Sequence, residues 1–157
     1  MKREFQQMVI TKSAAKPVQE ESVSTKKLKM TEKFRCECRD LYNALTTAQM
    51  ISAWSRSQTK DDASAGQDFS FFSGNVTGTY TQLVENEKVA MRWRQKSWLA
   101  GHHSNVTITM EQVDGCVELK LEQNGIPSES FDATKQGWTN YYWKPIKQCF
   151  GFGSAMF

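Results

Sequence analysis

The chain holds 157 residues with a formal net charge of +3; 39% of them are apolar and 24% charged. That length supports one domain around a single core, and no apolar run approaches the roughly 18 residues of a membrane-spanning helix. The opening MKREFQQMVITK lacks the apolar centre of a signal peptide, so a soluble cytoplasmic protein with no membrane association is expected.

Charge is unevenly placed. Residues 1–33 carry eight Lys or Arg against four Asp or Glu, and residues 34–157 carry twelve against thirteen. The near-neutral remainder argues against general nucleic-acid binding. Residues 1–27, polar and weakly periodic with Pro17, read as a disordered arm or linker ahead of a domain at 28–157.

From Leu28 to Cys38 apolar and polar residues alternate, which predicts a first strand with Glu32 as the one blemish on its apolar face. Cys36 and Cys38 fall on one face of that strand. With Cys116 and Cys149 they form no CxxC pair, and they read as small buried residues in a reducing compartment rather than a metal or redox site. A pair of short helices follows. Asp40 is placed to cap one carrying Leu41, Tyr42, Ala44 and Leu45, and Thr46 or Thr47 to cap a second carrying Met50, Ile51 and Trp54. Residues 55–66 are a loop by composition.

Beyond the loop the period drops to two. Phe69 and Phe71 share a face, Ser73-Gly74-Asn75 turns the chain, and Val76 to Leu83 is a Thr-rich strand. Val89, Met91 and Trp93 alternate with charged residues in the next strand. Val106, Ile108 and Met110, then Val117, Leu119 and Leu121, mark two further strands joined at Asp114-Gly115, a strong hairpin signal. Gly125-Ile126-Pro127 is expected to end the sheet. The stretch Ser130 to Phe150 places Trp138, Tyr141, Tyr142, Ile146 and Cys149 at helical spacing, with Ser128 or Ser130 as cap and Gly151 or Gly153 as stop. Gly137 and Pro145 disfavour it by about 1 and 3 kcal/mol, so it must pack against a broad apolar surface, with a kink expected at Pro145.

A sheet wetted on one face and a helix with one apolar stripe satisfy each other when the sheet curls around the helix. The predicted architecture is therefore α+β: a helix-grip with a curved antiparallel sheet of about six strands around a long C-terminal helix, and two short helices after the first strand. Such an arrangement tends to leave an elongated cavity, for which Trp54, Phe71, Trp93, Trp138 and Tyr142 are the candidate lining.

Five motifs carry a resemblance. They are Gly74-Asn75-Val76-Thr77-Gly78; Trp93-Arg94-Gln95-Lys96-Ser97-Trp98 with Gly101-His102; Gly125-Ile126-Pro127; Gln136-Gly137-Trp138 with Tyr141-Tyr142; and Ile146 through Gly153. In this order and spacing the chain, from about Leu28 to Phe157, resembles the C-terminal domain of the activator of heat shock protein 90 ATPase. The resemblance implies a START-like (Bet v 1-like) helix-grip fold and a monomeric cytosolic co-chaperone. Such a co-chaperone contacts the chaperone's N-terminal ATP-binding domains and favours their closed, hydrolysis-competent dimer. The family's separate N-terminal domain does not precede the match within these 157 residues. Weak binding and little ATPase stimulation are therefore expected of this chain alone.

For partner contact the candidates are Arg92, Arg94 and Lys96, placed by alternation as a basic ridge on the solvent face of one strand. Trp98, in the following connection, is the candidate aromatic anchor. No catalytic residues and no cofactor are expected, since nothing marks a nucleophile. The adjacent His102 and His103 lack the spacing of metal ligands, so no metal is expected either. The alternative function is a carrier of a small apolar ligand in the helix–sheet cavity.

Overall fold

A computed structural model describes residues 23–153. Six antiparallel strands form one sheet in the order β1-β6-β5-β4-β3-β2, where β1 is Thr25–Phe34, β2 Asp68–Phe71, β3 Val76–Val84, β4 Lys88–Gln95, β5 Ser104–Val113 and β6 Cys116–Pro127. Helices α1 (Cys38–Thr46) and α2 (Ala48–Ser55) follow β1. A continuous helical run follows β6: a 3-10 turn Ser128–Ser130, α3 (Phe131–Gly137), a π-helical turn Trp138–Trp143 and α4 (Lys144–Phe150). This is the predicted helix-grip. Of the predicted arm, residues 1–22 lie outside the described residues, and Thr25 already pairs with Pro127 in the sheet.

In β5 and β6 alternate residues are buried on the face that holds the terminal helix. Val117, Leu119 and Leu121 of β6 and Val106 and Ile108 of β5 are almost fully buried, as are Trp138, Trp143 and Ile146 on the helix. At roughly 200 Å² of apolar area and 25 cal/mol per Å², the two tryptophans contribute on the order of 8 to 10 kcal/mol. That outweighs the roughly 4 kcal/mol cost of Gly137 and Pro145. Register shifts in β1–β6 at Lys26/Leu28 and in β3–β4 at Tyr80/Gln82 bend the sheet around its helix.

Several local expectations are corrected. β1 ends at Phe34, so Cys36 and Cys38 do not alternate along a strand; Cys38 opens α1. Glu37, not Asp40, is the N-cap of α1. Asp40 sits at its third position and its carboxylate accepts from the Glu37 N–H at 3.1 Å, which closes a capping box. Thr47 precedes α2, but its hydroxyl donates back to the Asn43 carbonyl, and the Ala48 N–H is met by Asp62 Oδ1 at 2.8 Å. Gly125-Ile126-Pro127 does end the sheet, as the last three residues of β6. Ser128 opens a 3-10 turn and its hydroxyl meets that of Ser24 at 2.9 Å instead of capping the helix. Gly151 does end the run, at φ 73°.

At Pro145 the chain widens rather than breaks. The Lys144 N–H reaches the Thr139 carbonyl, five residues back. The hydrogen-bond ladder shifts by one residue just ahead of the proline, which then occupies the second position of α4, where a missing N–H is tolerated. The same i to i+5 geometry sets Trp143 above Trp138, with ring centroids 5.4 Å apart and planes at 22°.

Candidate partner-binding groove

The end of the sheet holding Gln95, Val76 and Pro127 is where the helix and the loops leave an opening. Gly78 sets the spacing there. It lies opposite Trp93, and a Cβ on it would fall 1.9 Å from the Arg92 carbonyl oxygen and 2.6 Å from the Phe69 ring. β3 and β4 approach this closely only because that side chain is absent. The β2–β3 turn then runs through positive φ at Phe72 (56°), Ser73 (58°) and Gly74 (86°). For a residue as bulky as Phe72 this conformation costs on the order of 1 to 3 kcal/mol. It turns the Phe72 ring toward the helix, 5.4 Å from Tyr142 and 6.0 Å from Tyr141.

The result is an open groove of about 660 Å³ with Phe72, Trp93, Trp138, Tyr141 and Tyr142 as its aromatic wall and Asn75, Gln95, Lys96 and Ser97 on the rim. The Lys96 N–H donates to the Asn75 carbonyl at 2.8 Å and joins the two rim loops. Deeper between helix and sheet, where an elongated cavity was expected, Trp54, Phe71, Tyr80 and their neighbours close around a void of only about 10 Å³. Of the candidate lining, Trp93, Trp138 and Tyr142 face the groove, while Trp54 and Phe71 border that small void.

A buried polar chain holds the groove's floor. Trp138 Nε1–H donates to Gln123 Oε1 at 2.8 Å, Gln123 Nε2–H to Ser104 Oγ at 2.9 Å, and Ser104 Oγ–H to the Trp93 carbonyl at 2.8 Å. Gln123 and Ser104 are fully buried, and each link satisfies a group that would otherwise cost about 1 to 3 kcal/mol. Trp93 Nε1–H points at the Tyr142 hydroxyl, 3.4 Å away. Burial pushes the Tyr142 phenol well above its ordinary range, and the Trp93 bond opposes this only in part. Gln123 and Ser104 were missed in the sequence, although alternation continued from Leu121 and Val106 places both on the inward face. Phe72 and Trp143 carry no such signal, because their placement depends on positive φ and on the π-helical turn.

The predicted basic ridge separates into different parts. Arg92 is exposed, its Nη2–H donating to His103 Nδ1 at 3.2 Å, and Lys96 is exposed on the groove rim. Arg94 instead folds onto the β4–β5 loop, donating to the carbonyls of Trp98 at 2.8 Å and His102 at 3.2 Å. His102 Nε2–H closes that loop on the Gly125 carbonyl at 2.7 Å. Trp98 is not an exposed anchor. It is 5% exposed and packs edge-on against Trp93 at 5.5 Å and His102 at 5.8 Å. The loop that Arg94 holds carries it inward, where a large ring gains more by burial than by solvent contact.

Among the described residues no group of three His, Cys, Asp or Glu is gathered as a metal site. Cys36, Cys38 and Cys116 lie around the Gln112 carboxamide, which bonds the Cys36 and Cys116 carbonyls and the Cys38 N–H. Burial first, and the Asp40 carboxylate second, push the Cys36 thiol up to about 12, far from a reactive thiolate. No described helix is long and apolar enough to cross a membrane.

Sheet, clasped helix and an aromatic groove with one lysine on its rim define a helix-grip α+β domain. Residues 35–151 match the family described as Activator of Hsp90 ATPase homolog 1-like protein. The chain belongs to that family. It is 39% identical over 147 residues to the activator of 90 kDa heat shock protein ATPase homolog 1 of Mus musculus and 36% identical over 147 residues to that of Homo sapiens. Each match covers 94% of this chain and 43% of the relative, so the chain spans less than half the length of these curated relatives. In three dimensions it is similar to the crystal structure of an HSP90 activator from Plasmodium falciparum, with a TM-score of 0.75 and 27% identity over 81% of this chain and 97% of that one.

Proposed function

We propose that this chain is a co-chaperone domain that binds heat shock protein 90 in the cytoplasm as a monomer and helps stimulate its ATPase by favouring the N-terminally closed dimer. It acts as a binding module, not as a catalyst. The observation that carries the reading is the family match over residues 35–151, joined to 39% identity with a protein named for activating this ATPase. Activation of this kind is a population shift, in which the domain contributes only through tighter binding to one of the chaperone's two states. The contact surface we assign holds two exposed cations, Arg92 on the solvent face of β4 and Lys96 on the groove rim, facing an acidic surface on the chaperone's ATP-binding domains. The names of the mouse and human relatives favour this reading over the alternative, a carrier of a small apolar ligand.

The test is capture of purified heat shock protein 90 with and without a non-hydrolysable ATP analogue. Capture should strengthen with the analogue, and Arg92→Glu with Lys96→Glu should slow association roughly three- to tenfold at low salt. Capture indifferent to nucleotide, or unchanged kinetics in the folded double variant, would remove respectively the activation mechanism and the assigned surface.

A further inference from the structure

Among the described residues the groove's lip stays open, while Trp93, Trp138 and Tyr142 behind it are almost fully buried. Tyr141, 63% exposed, stands at its lip against Phe72, and Lys96 is the charged group on its rim. Its complement is a short run of large apolar side chains with an acidic neighbour. We propose that its occupant is the chain's own segment EFQQMVI, residues 4–10, bound in cis. This reading stands apart from the identity of any protein partner.

Among residues 1–22, which lie outside the described residues, Phe5, Met8, Val9 and Ile10 make the densest cluster of large apolar side chains, with Glu4 beside them to meet Lys96. The path is short. The chain joins the sheet at Thr25 opposite Pro127, and the Ser128 N–H donates to the Ser24 carbonyl at 2.8 Å. The described chain therefore begins beside the first turn of the terminal helix, at the end of the sheet where Gln95 faces Val76 and the groove opens. Thr134, on the groove's near wall, is six residues along that helix from Ser128, about 9 Å of rise. Residues 11–22, TKSAAKPVQEES, are a polar spacer. A flexible chain of that length has a root-mean-square span of roughly 20 Å. When spacer and span match, the effective concentration of a tethered segment lies in the millimolar range. A segment with only millimolar affinity in trans then holds the groove about half the time in cis. The similarity to the mouse relative spans 94% of the chain and so extends beyond the described residues. The consequence is competition, since a partner reaching for the Phe72–Tyr141 wall must first displace the segment.

The test compares backbone amide spectra of the full chain with those of its Phe5→Ser, Val9→Ser, Ile10→Ser variant. Resonances of Phe72, Lys96, Ser97 and Tyr141 should shift, while those of Thr107 and Thr109 on the far face of the sheet stay in place. A peptide of residues 2–14 added to the variant should return the shifted resonances toward wild type and saturate in the millimolar range. Identical groove resonances in both proteins, or a peptide without effect, would overturn the proposal. So would a wild-type pattern that converts to the variant's on tenfold dilution, which assigns the groove to a second copy of the chain.

Discussion

Single residues set how closely the strands pack, and Gly78 is the clearest of them. A methyl group there meets backbone, the Arg92 carbonyl oxygen at 1.9 Å, and a backbone atom cannot swing aside as the end of a flexible side chain can. Gly78→Ala should therefore destabilise by about 3 kcal/mol or more, at or above the upper end of ordinary overpacking, read as the midpoint shift in urea unfolding. The buried phenols make a second prediction at this scale. Tyr142 and Tyr80 are held above the ordinary value of 10.0 by burial. Above pH 10 the unfolded chain releases these protons while the folded chain keeps them, so stability is full below pH 10 and is lost as pH rises. Each phenol contributes up to about 1.4 kcal/mol per pH unit. Tyr142→Phe should flatten the alkaline limb of a plot of unfolding free energy against pH, and an unchanged slope would contradict the assignment.

The terminal helical run is held at each end by a different interaction. Near its start the Trp138–Gln123–Ser104 chain ties it to β6 and β5. Near its end Lys147 ion-pairs with Glu32 of β1 and lies over the Phe34 ring, 5.1 Å from its centroid. The Glu32 blemish in the first strand is thus a helix anchor. Both side chains are about three-quarters buried, at 23% and 27% exposure, so removing one partner leaves a poorly solvated charge behind. A double-mutant cycle with Glu32→Ala and Lys147→Ala should return a coupling of about 1 to 2 kcal/mol, against the near-zero coupling of a surface pair. The β4–β5 loop has an analogous clamp in Arg94, whose guanidinium gathers the carbonyls of Trp98, Leu99 and His102. It does the work of a structural arginine on a strand that alternation alone would present to solvent.

For the molecule as a whole, the proposed activity depends on how many contacts one chain can make with the chaperone. This chain spans 43% of its mouse and human relatives. Acting alone it should give little stimulation in an ATPase titration against heat shock protein 90, because a single weak contact lacks the effective concentration of two tethered ones. Full activation at stoichiometric amounts would show that this domain suffices to shift the chaperone's equilibrium.

Alternation, turn chemistry and helical spacing were enough to specify six strands, two short helices, the terminal helix and the way they close on one another. These patterns reflect which side of each element avoids water, and that preference is local. The Asp114-Gly115 turn, both residues at positive φ, and the inward run Val117, Leu119 and Leu121 of β6 were legible residue by residue. Only the folded chain decided where Trp98 and Arg94 point, that Phe72 turns inward, that Trp143 stacks on Trp138, and that the expected cavity narrows to a small void with a groove at its mouth. Each of these depends on contacts between residues distant in sequence or on a backbone deviation stabilised by such contacts, and no periodicity along the chain encodes either.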